Sequence, residues 1–238
     1  MQNATRSPAL RIREVVSPDD PHLRQAYRLL SKSFARTERV ELRDWVASLR
    51  EKEGDLLTDV VWHLFIAVKD QKVVGLASGT FLGNMHVGVI GYLAIGSDAQ
   101  SAGLGTRLRN RLRSQFERDA LLLTGKPLKA IIGEVSVDNP WLRRLAQRPE
   151  VLVLDFDYYQ PRLYEGDAPS PFVLYYESLQ GVRTRLPVKE LRQLLYAIWR
   201  RVYRLSRPLE RPSFRAMLRS LDTRRSVGRL NLSRSKTR

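Results

Sequence analysis

Gly103 and Gly105 lie in the stretch Gln100-Ser101-Ala102-Gly103-Leu104-Gly105-Thr106, where an apolar run from Val87 to Ile95 gives way to a helical segment, Leu104 to Ala120. A strand that ends in a glycine-bearing loop and turns into a helix start presents several backbone N–H groups together. Those groups and the helix dipole favour an anion such as a phosphate or pyrophosphate. Glycine leaves the backbone approachable where a side chain would stand in the way. The spacing excludes two common solutions. A P-loop needs Gly-x4-Gly-Lys-Ser/Thr, but Gly105 is followed by Thr106 and Arg107. A dinucleotide fingerprint needs a third glycine where Leu108 stands. On bare spacing, an ordinary strand-to-helix turn stays open beside a phosphate site.

The longer segment Leu93-Ala94-Ile95-Gly96-Ser97-Asp98-Ala99-Gln100-Ser101-Ala102-Gly103-Leu104-Gly105 resembles motif A of the GNAT superfamily of acyl-CoA-dependent N-acyltransferases. That motif is a Leu-Ala-Val-like strand end, a five-residue bridge to Arg or Gln, then x-x-Gly-x-Gly or Ala. Ser97 departs from it, where many members carry proline. The resemblance implies acetyl-CoA as co-substrate and an amine-bearing acceptor, small molecule or protein. It implies that backbone groups of Leu93 and Ile95 pair with the pantetheine arm, and that an N–H of Ala94 or Ile95 polarises the thioester carbonyl. Gln100, Ser101, Ala102, Gly103, Leu104, Gly105 and Thr106 would hold the pyrophosphate.

The same resemblance makes Ala130-Ile131-Ile132-Gly133-Glu134-Val135 the fifth strand and Glu134 a candidate general base. Partial burial would raise its carboxyl pKa into a useful range; a solvent-facing or structurally bonded carboxylate is the alternative. His86, at the start of the fourth strand, is a second candidate base, acting directly or through water, beside the plainer reading of a strand-end histidine. Asn139 matches an asparagine that commonly contacts the pantetheine, and Pro140 suits the first position of the following helix. Ala146 stands where members carry a tyrosine acid. Tyr158 and Tyr159 are the nearest replacements, with packing or a pocket wall as the alternative. With no cysteine, direct transfer in a ternary complex is the economical route. Asp19-Asp20 and Asp155/Asp157 lack histidine company, so no metal is expected.

The elements around these residues alternate. Strands are expected at Leu10–Val16, Trp62–Lys69, Lys72–Leu82, 87–95, Leu128–Val137, Val151–Tyr158 and Phe172–Leu179. Helices are expected at Pro21–Phe34, Glu41–Glu51, 102–120 and Pro140–Gln147. That order fits an α/β (α+β) GNAT fold: a mixed, mostly antiparallel twisted sheet, splayed between strands 4 and 5 and flanked by helices. The expected division is a flexible N-terminus at 1–9, an acyltransferase domain at 10–180, a basic helical extension at 181–221 and a disordered basic tail at 222–238. In the extension, Val188–Leu205 and Pro212–Leu221 read as helices with apolar faces.

The charge is uneven. The net charge is +16, and residues 181–238 hold 17 of the 41 basic residues but only 3 of the 25 acids. Such a segment suits nucleic acid or another polyanion, or is simply an arginine-rich solvated face. This supports a reading from another class: a nucleic-acid- or ribosome-associated binding protein whose acyl-CoA site is regulatory or degenerate. No run of 18 apolar residues and no signal-peptide pattern is present, so no transmembrane segment is expected and the location is read as cytoplasmic. Oligomerisation is compatible with the sequence, which does not fix it.

Overall fold

The computed structural model describes residues 10–56, 59–100, 103–161, 163–164 and 170–232. The expected flexible segment 1–9 lies outside them. Seven strands form one path, in the order β1-β2-β3-β4-β5-β8-β6: β1 (Arg11–Val15), β2 (Val60–Lys69), β3 (Lys72–Leu82), β4 (Val87–Ile95), β5 (Ala130–Val135), β8 (Ser170–Ser178) and β6 (Val151–Val153). The short β7 (Tyr158–Gln160) also pairs with β8. All pairings are antiparallel except β4 with β5. The hairpin between β2 and β3 turns on Asp70 and Gln71, both at positive φ, the geometry that lets a two-residue turn follow the strand twist.

The parallel pair is short. It runs from Val87 opposite Ala130 to Ile90 opposite Gly133 and then stops, although β4 continues for five residues and β5 for two. The two strands part there, as the expected splay requires.

Helix α3 (Leu104–Thr124) lies on one face of the sheet and fixes the position of the glycine loop. Its buried stripe Leu104, Leu108, Leu112 and Phe116 has the spacing of a single helix face. Close approach is possible because the strands beneath carry glycine. A Cβ on Gly88 would meet Phe116 Cδ2 at 2.1 Å, and one on Gly79 would meet the Val89 carbonyl oxygen at 2.5 Å. On the other face, α1 (Leu23–Ser33) and α2 (Leu42–Glu53) bury Leu23, Leu30, Trp45 and Leu49 against Leu64, Ile66 and Leu76.

Three expectations are revised. The strand read as Val151–Tyr158 is two strands, β6 and β7, because Leu154 bridges to Arg229 and the Asp155 N–H bonds the Gly228 carbonyl. Asp155 and Asp157 therefore do not share a strand face. The helix read as Val188–Leu205 is α5 (Val188–Ala197) followed by a π-helical turn, Ile198–Val202. The segment expected as a disordered tail from 222 is placed as far as 232. Strand β10 (Ser226–Val227) pairs with β9 (Leu186–Pro187), Val227 is buried, and the Leu230 N–H bonds the Val153 carbonyl at 2.8 Å. Residues 233–238 lie outside the described residues.

The basic extension is part of the main core. Leu191, Leu194, Leu195, Ile198 and Trp199, with Phe214 and Met217 of α6 (Pro212–Ser220), join one buried cluster with Val89, Ile132, Leu174 and Tyr176 of the sheet. Trp199 is 1% exposed and packs against Phe214, with ring centroids 4.8 Å apart and the planes tilted by 51°. Replacing a buried aromatic by alanine removes its transfer energy and leaves a cavity. Trp199→Ala is therefore expected to cost about 3–5 kcal/mol, measured by denaturant unfolding, and a chain ending at residue 180 is expected to show no cooperative melt.

Candidate active site

The parting of β4 and β5 sets the site. Glu134 is the first residue of β5 past the last paired position. Burial pushes its carboxyl pKa up, and two phenols oppose that by donating to it: Tyr158 to Oε1, and Tyr203 to Oε2 at 2.5 Å. Burial and the neighbouring Glu134 hold both phenols well above their ordinary pKa, so both remain donors across neutral pH. Gln160 Nε2 donates to the Tyr203 hydroxyl at 3.0 Å and extends the chain.

Glu134 and Tyr203 open onto a cavity of about 710 Å³ bounded by α2, by β2 to β4 and by residues 200–205. Trp45, Trp62 and Tyr92 supply aromatic surface. At the edge of the parting, β4 carries a bulge: Ser78 faces Tyr92 while Gly79 faces Ile90, leaving Gly91 extra.

Tyr203 is delivered by irregular backbone. The Tyr203 N–H bonds the Ile198 carbonyl, a five-residue step, and Arg204 then adopts φ +57, a conformation uncommon outside glycine. Arg204 reaches Glu51 with two bonds, at 2.8 and 2.6 Å, and Ser48 at 2.8 Å; Arg201 reaches Asp59 at 2.5 Å. The extension thus runs from the base of the cavity at Glu134 to its far rim on α2.

The glycine loop lies at the other end of β4. The Arg107 N–H makes the first bond inside α3, to the Gly103 carbonyl, so the N–H groups of Leu104, Gly105 and Thr106 have no acceptor within the helix. Among the described residues no side chain caps this helix start, and its first turn carries no acid. Gly103 takes φ +66. Among the described residues, a Cβ on Gly105 would meet only Ile95 Cγ1, at 3.8 Å, so their packing does not demand glycine there. Ser101 and Ala102 lie outside the described residues. Because the Gly96 N–H bonds Val74 on β3, strand alternation turns the N–H groups of Ile95 and Leu93 toward the open edge and that of Ala94 toward β3.

A family model described as the acetyltransferase (GNAT) family matches residues 23–148, more than half of the chain. The chain belongs to the GNAT acetyltransferase family. No curated protein matches it significantly in sequence. Among solved structures, a GNAT-family protein from Bacteroides thetaiotaomicron is 21% identical with a TM-score of 0.58, covering 82% of this chain and 99% of that one. An N-acetyltransferase from Staphylococcus aureus is 12% identical with a TM-score of 0.52, covering 72% and 99%. Ard1 from Thermoplasma volcanium is 19% identical with a TM-score of 0.50, covering 72% and 99%. These likenesses concern the fold.

Against the GNAT pattern, the candidates separate. Glu134 and Tyr158 meet; Tyr159 and His86 do not join them. Tyr159 is partly buried against the same core cluster that contains Tyr158, and its backbone N–H approaches Met217 Sδ at 3.3 Å. Neighbouring side chains on β7 alternate, so its ring does not follow that of Tyr158 to Glu134. His86 caps the turn before β4, at the closed end of the strand pair, with its pKa lowered by burial and by Lys126 and Lys129. Neither lines the cavity. Asn139 caps α4 (Pro140–Ala146), its Oδ1 accepting the Trp141 N–H at 3.0 Å. Gln100 is exposed, with Nε2 at 3.5 Å from the Ile95 carbonyl.

Tyr203 was not among the sequence candidates. Among the described residues no metal-holding group of three or more His, Asp or Glu is present, and no helix is long and apolar enough to cross a membrane. Tyr203→Phe removes one of two donors that favour the Glu134 carboxylate, so its pKa is expected to rise further, read by carboxyl-carbon NMR titration.

Proposed function

We propose that this GNAT protein transfers an acetyl group from acetyl-CoA to a primary amine by direct attack in a ternary complex. The observation that carries the reading is Glu134, a carboxyl with a raised pKa placed where β4 and β5 part and opening onto the cavity. Acyl-CoA supplies the acyl group activated as a thioester. The helix-start N–H groups of Leu104, Gly105 and Thr106 suit its pyrophosphate, and the outward N–H groups of Leu93 and Ile95 suit the amides of an extended arm. The space above Gly105 fits that use, because among the described residues a Cβ there would touch only Ile95 Cγ1, at 3.8 Å. Thioester polarisation falls to an N–H on the open edge, which favours Ile95 over Ala94 and also admits the bulge at Gly91.

Glu134 accepts the proton that the amine loses as the new N–C bond forms. The C–S bond breaks with its electron pair leaving on the CoA sulfur as a thiolate, which solvent protonates. A raised pKa makes this carboxylate a stronger base than an ordinary one, and the two tyrosines, by donating to it, favour its ionised form. The chain has no thiol to carry the acyl group itself.

Glu134→Gln keeps the shape and removes the base, so kcat is expected to fall about 10²–10⁴-fold with acetyl-CoA affinity unchanged. Retained turnover in this variant would refute the assignment. Because the base must be ionised, activity is expected to disappear as pH falls through the Glu134 pKa, and Tyr203→Phe should move that limb to higher pH. Gly105→Asp, an acid suited to a helix start, is expected to fold normally yet weaken acetyl-CoA binding at least tenfold by repelling the pyrophosphate, read by titration calorimetry.

One observation favours a second role for the extension. Arg211, Arg215 and Arg219 recur every four residues on the exposed side of α6, an arrangement suited to a polyanion. Many other arginines of the segment are engaged internally, among them Arg183 with Glu190, Arg192 with Asp222 and Arg204 with Glu51. Salt-dependent binding of duplex RNA, lost on replacing that row by glutamine, would establish the second role.

A further inference from the structure

The wall of the cavity carries information about the acceptor. Although the chain has a net charge of +16, the described residues of this wall bring six carboxylates against five cationic side chains. The cations are largely engaged. Arg43 lies on Glu41, Arg204 on Glu51 and Arg201 on Asp59, while Lys52 turns to Glu14 behind the wall. Asp44, Asp55 and Glu134 face no cation among the described ion pairs. Arg200 is the one lining cation without an acid, donating instead to the Leu205 carbonyl. Among the described ion pairs three acids thus stand unpaired against one cation, and the hollow beside the most basic segment leans acidic.

Shape adds a second constraint. Residues 200–205 tie Glu134 on the sheet to Ser48 and Glu51 on α2, so a bonded strand of chain closes the side next to the base. A volume of about 710 Å³ is in the range of pockets that enclose drug-sized molecules. Trp45 and Trp62, with ring centroids 5.8 Å apart, and Tyr92 give the interior flat apolar surface, which attracts a cation as well as an apolar body.

We infer that the acceptor is a compact cationic amine with a flat apolar body, enclosed by the 200–205 segment, and not the exposed end of a protein chain. The inference rests on the acyltransferase reading for its chemistry but not for its binding. Acetylation removes the charge that the acids recognise, so the neutral amide product is held less tightly than the amine.

Titration calorimetry of 2-phenylethylamine and tryptamine into the full chain tests binding without turnover. At least tenfold tighter binding of the amines than of their N-acetylated forms, and than of an unblocked alanyl pentapeptide, is expected. Equal affinities, tighter peptide binding or no amine binding would overturn the inference. Thiol release from acetyl-CoA with the same panel separates the two ideas: an amine that binds but releases no thiol removes the acyltransferase reading and leaves the ligand class standing. The Arg201→Ala/Arg204→Ala variant frees the segment, and the peptide-to-amine ratio of kcat/KM is expected to rise at least tenfold. An unchanged ratio would refute the enclosing role.

Discussion

Backbone N–H and C=O groups inside a protein need partners, and after Ile90 and Gly133 two central strands of this sheet stop supplying them to each other. Much of the molecule answers to that gap. β4 keeps its pairing with β3 on one side, β5 keeps its pairing with β8 on the other, and the edges between them face an opening. Glycines beneath α3 let Phe116 sit directly on β3 and β4, which holds the helix start at the end of β4. Donors of the open edge and donors of the helix start thereby line up along one path.

The C-terminal region completes what the gap begins. Its helices fill the main core beside β5 and β8, and its π-helical turn brings Tyr203 to the carboxyl that stands at the parting. Burial pushes the Glu134 pKa up; two phenolic donors oppose that shift. The environment of this carboxyl thus depends on a residue 69 positions away in sequence. The basic composition of this region has a local use, since Arg201 and Arg204 fasten it to acids across the cavity.

The spine of the fold was legible in the sequence for physical reasons. The apolar run at 87–95 and the glycines at 103 and 105 mark a strand, a loop and a helix through strong local preferences, and the structure has β4 over those same residues. Glu134 was visible as a lone carboxylate in an apolar strand. Its partners were not, because nothing local tells which tyrosine a distant strand will meet. Tyr203 was hidden by periodicity: Val202 and Leu205 continue the apolar face of α5 at helical spacing, and that pattern cannot reveal an inserted π turn. Tyr158 and Tyr159 looked equivalent until β7 separated their faces. The break at Leu154 and the placement of 222–232 share one cause, the pairing of that late segment with β9 and with the end of β6. Its faint signal was the spaced apolar set Val227, Leu230 and Leu232 in a polar run.

The π-helical turn at Ile198–Val202 also ties chain length to chemistry. Each residue of an α-helix advances its successor by about 100° around the axis. Rewinding the turn as ordinary α-helix with no residue removed would swing the next side chain by about that angle, turning a tyrosine away from its carboxyl while sparing the hydrophobic face behind it. The one extra residue held in the turn therefore sets the phase at which the tyrosine arrives.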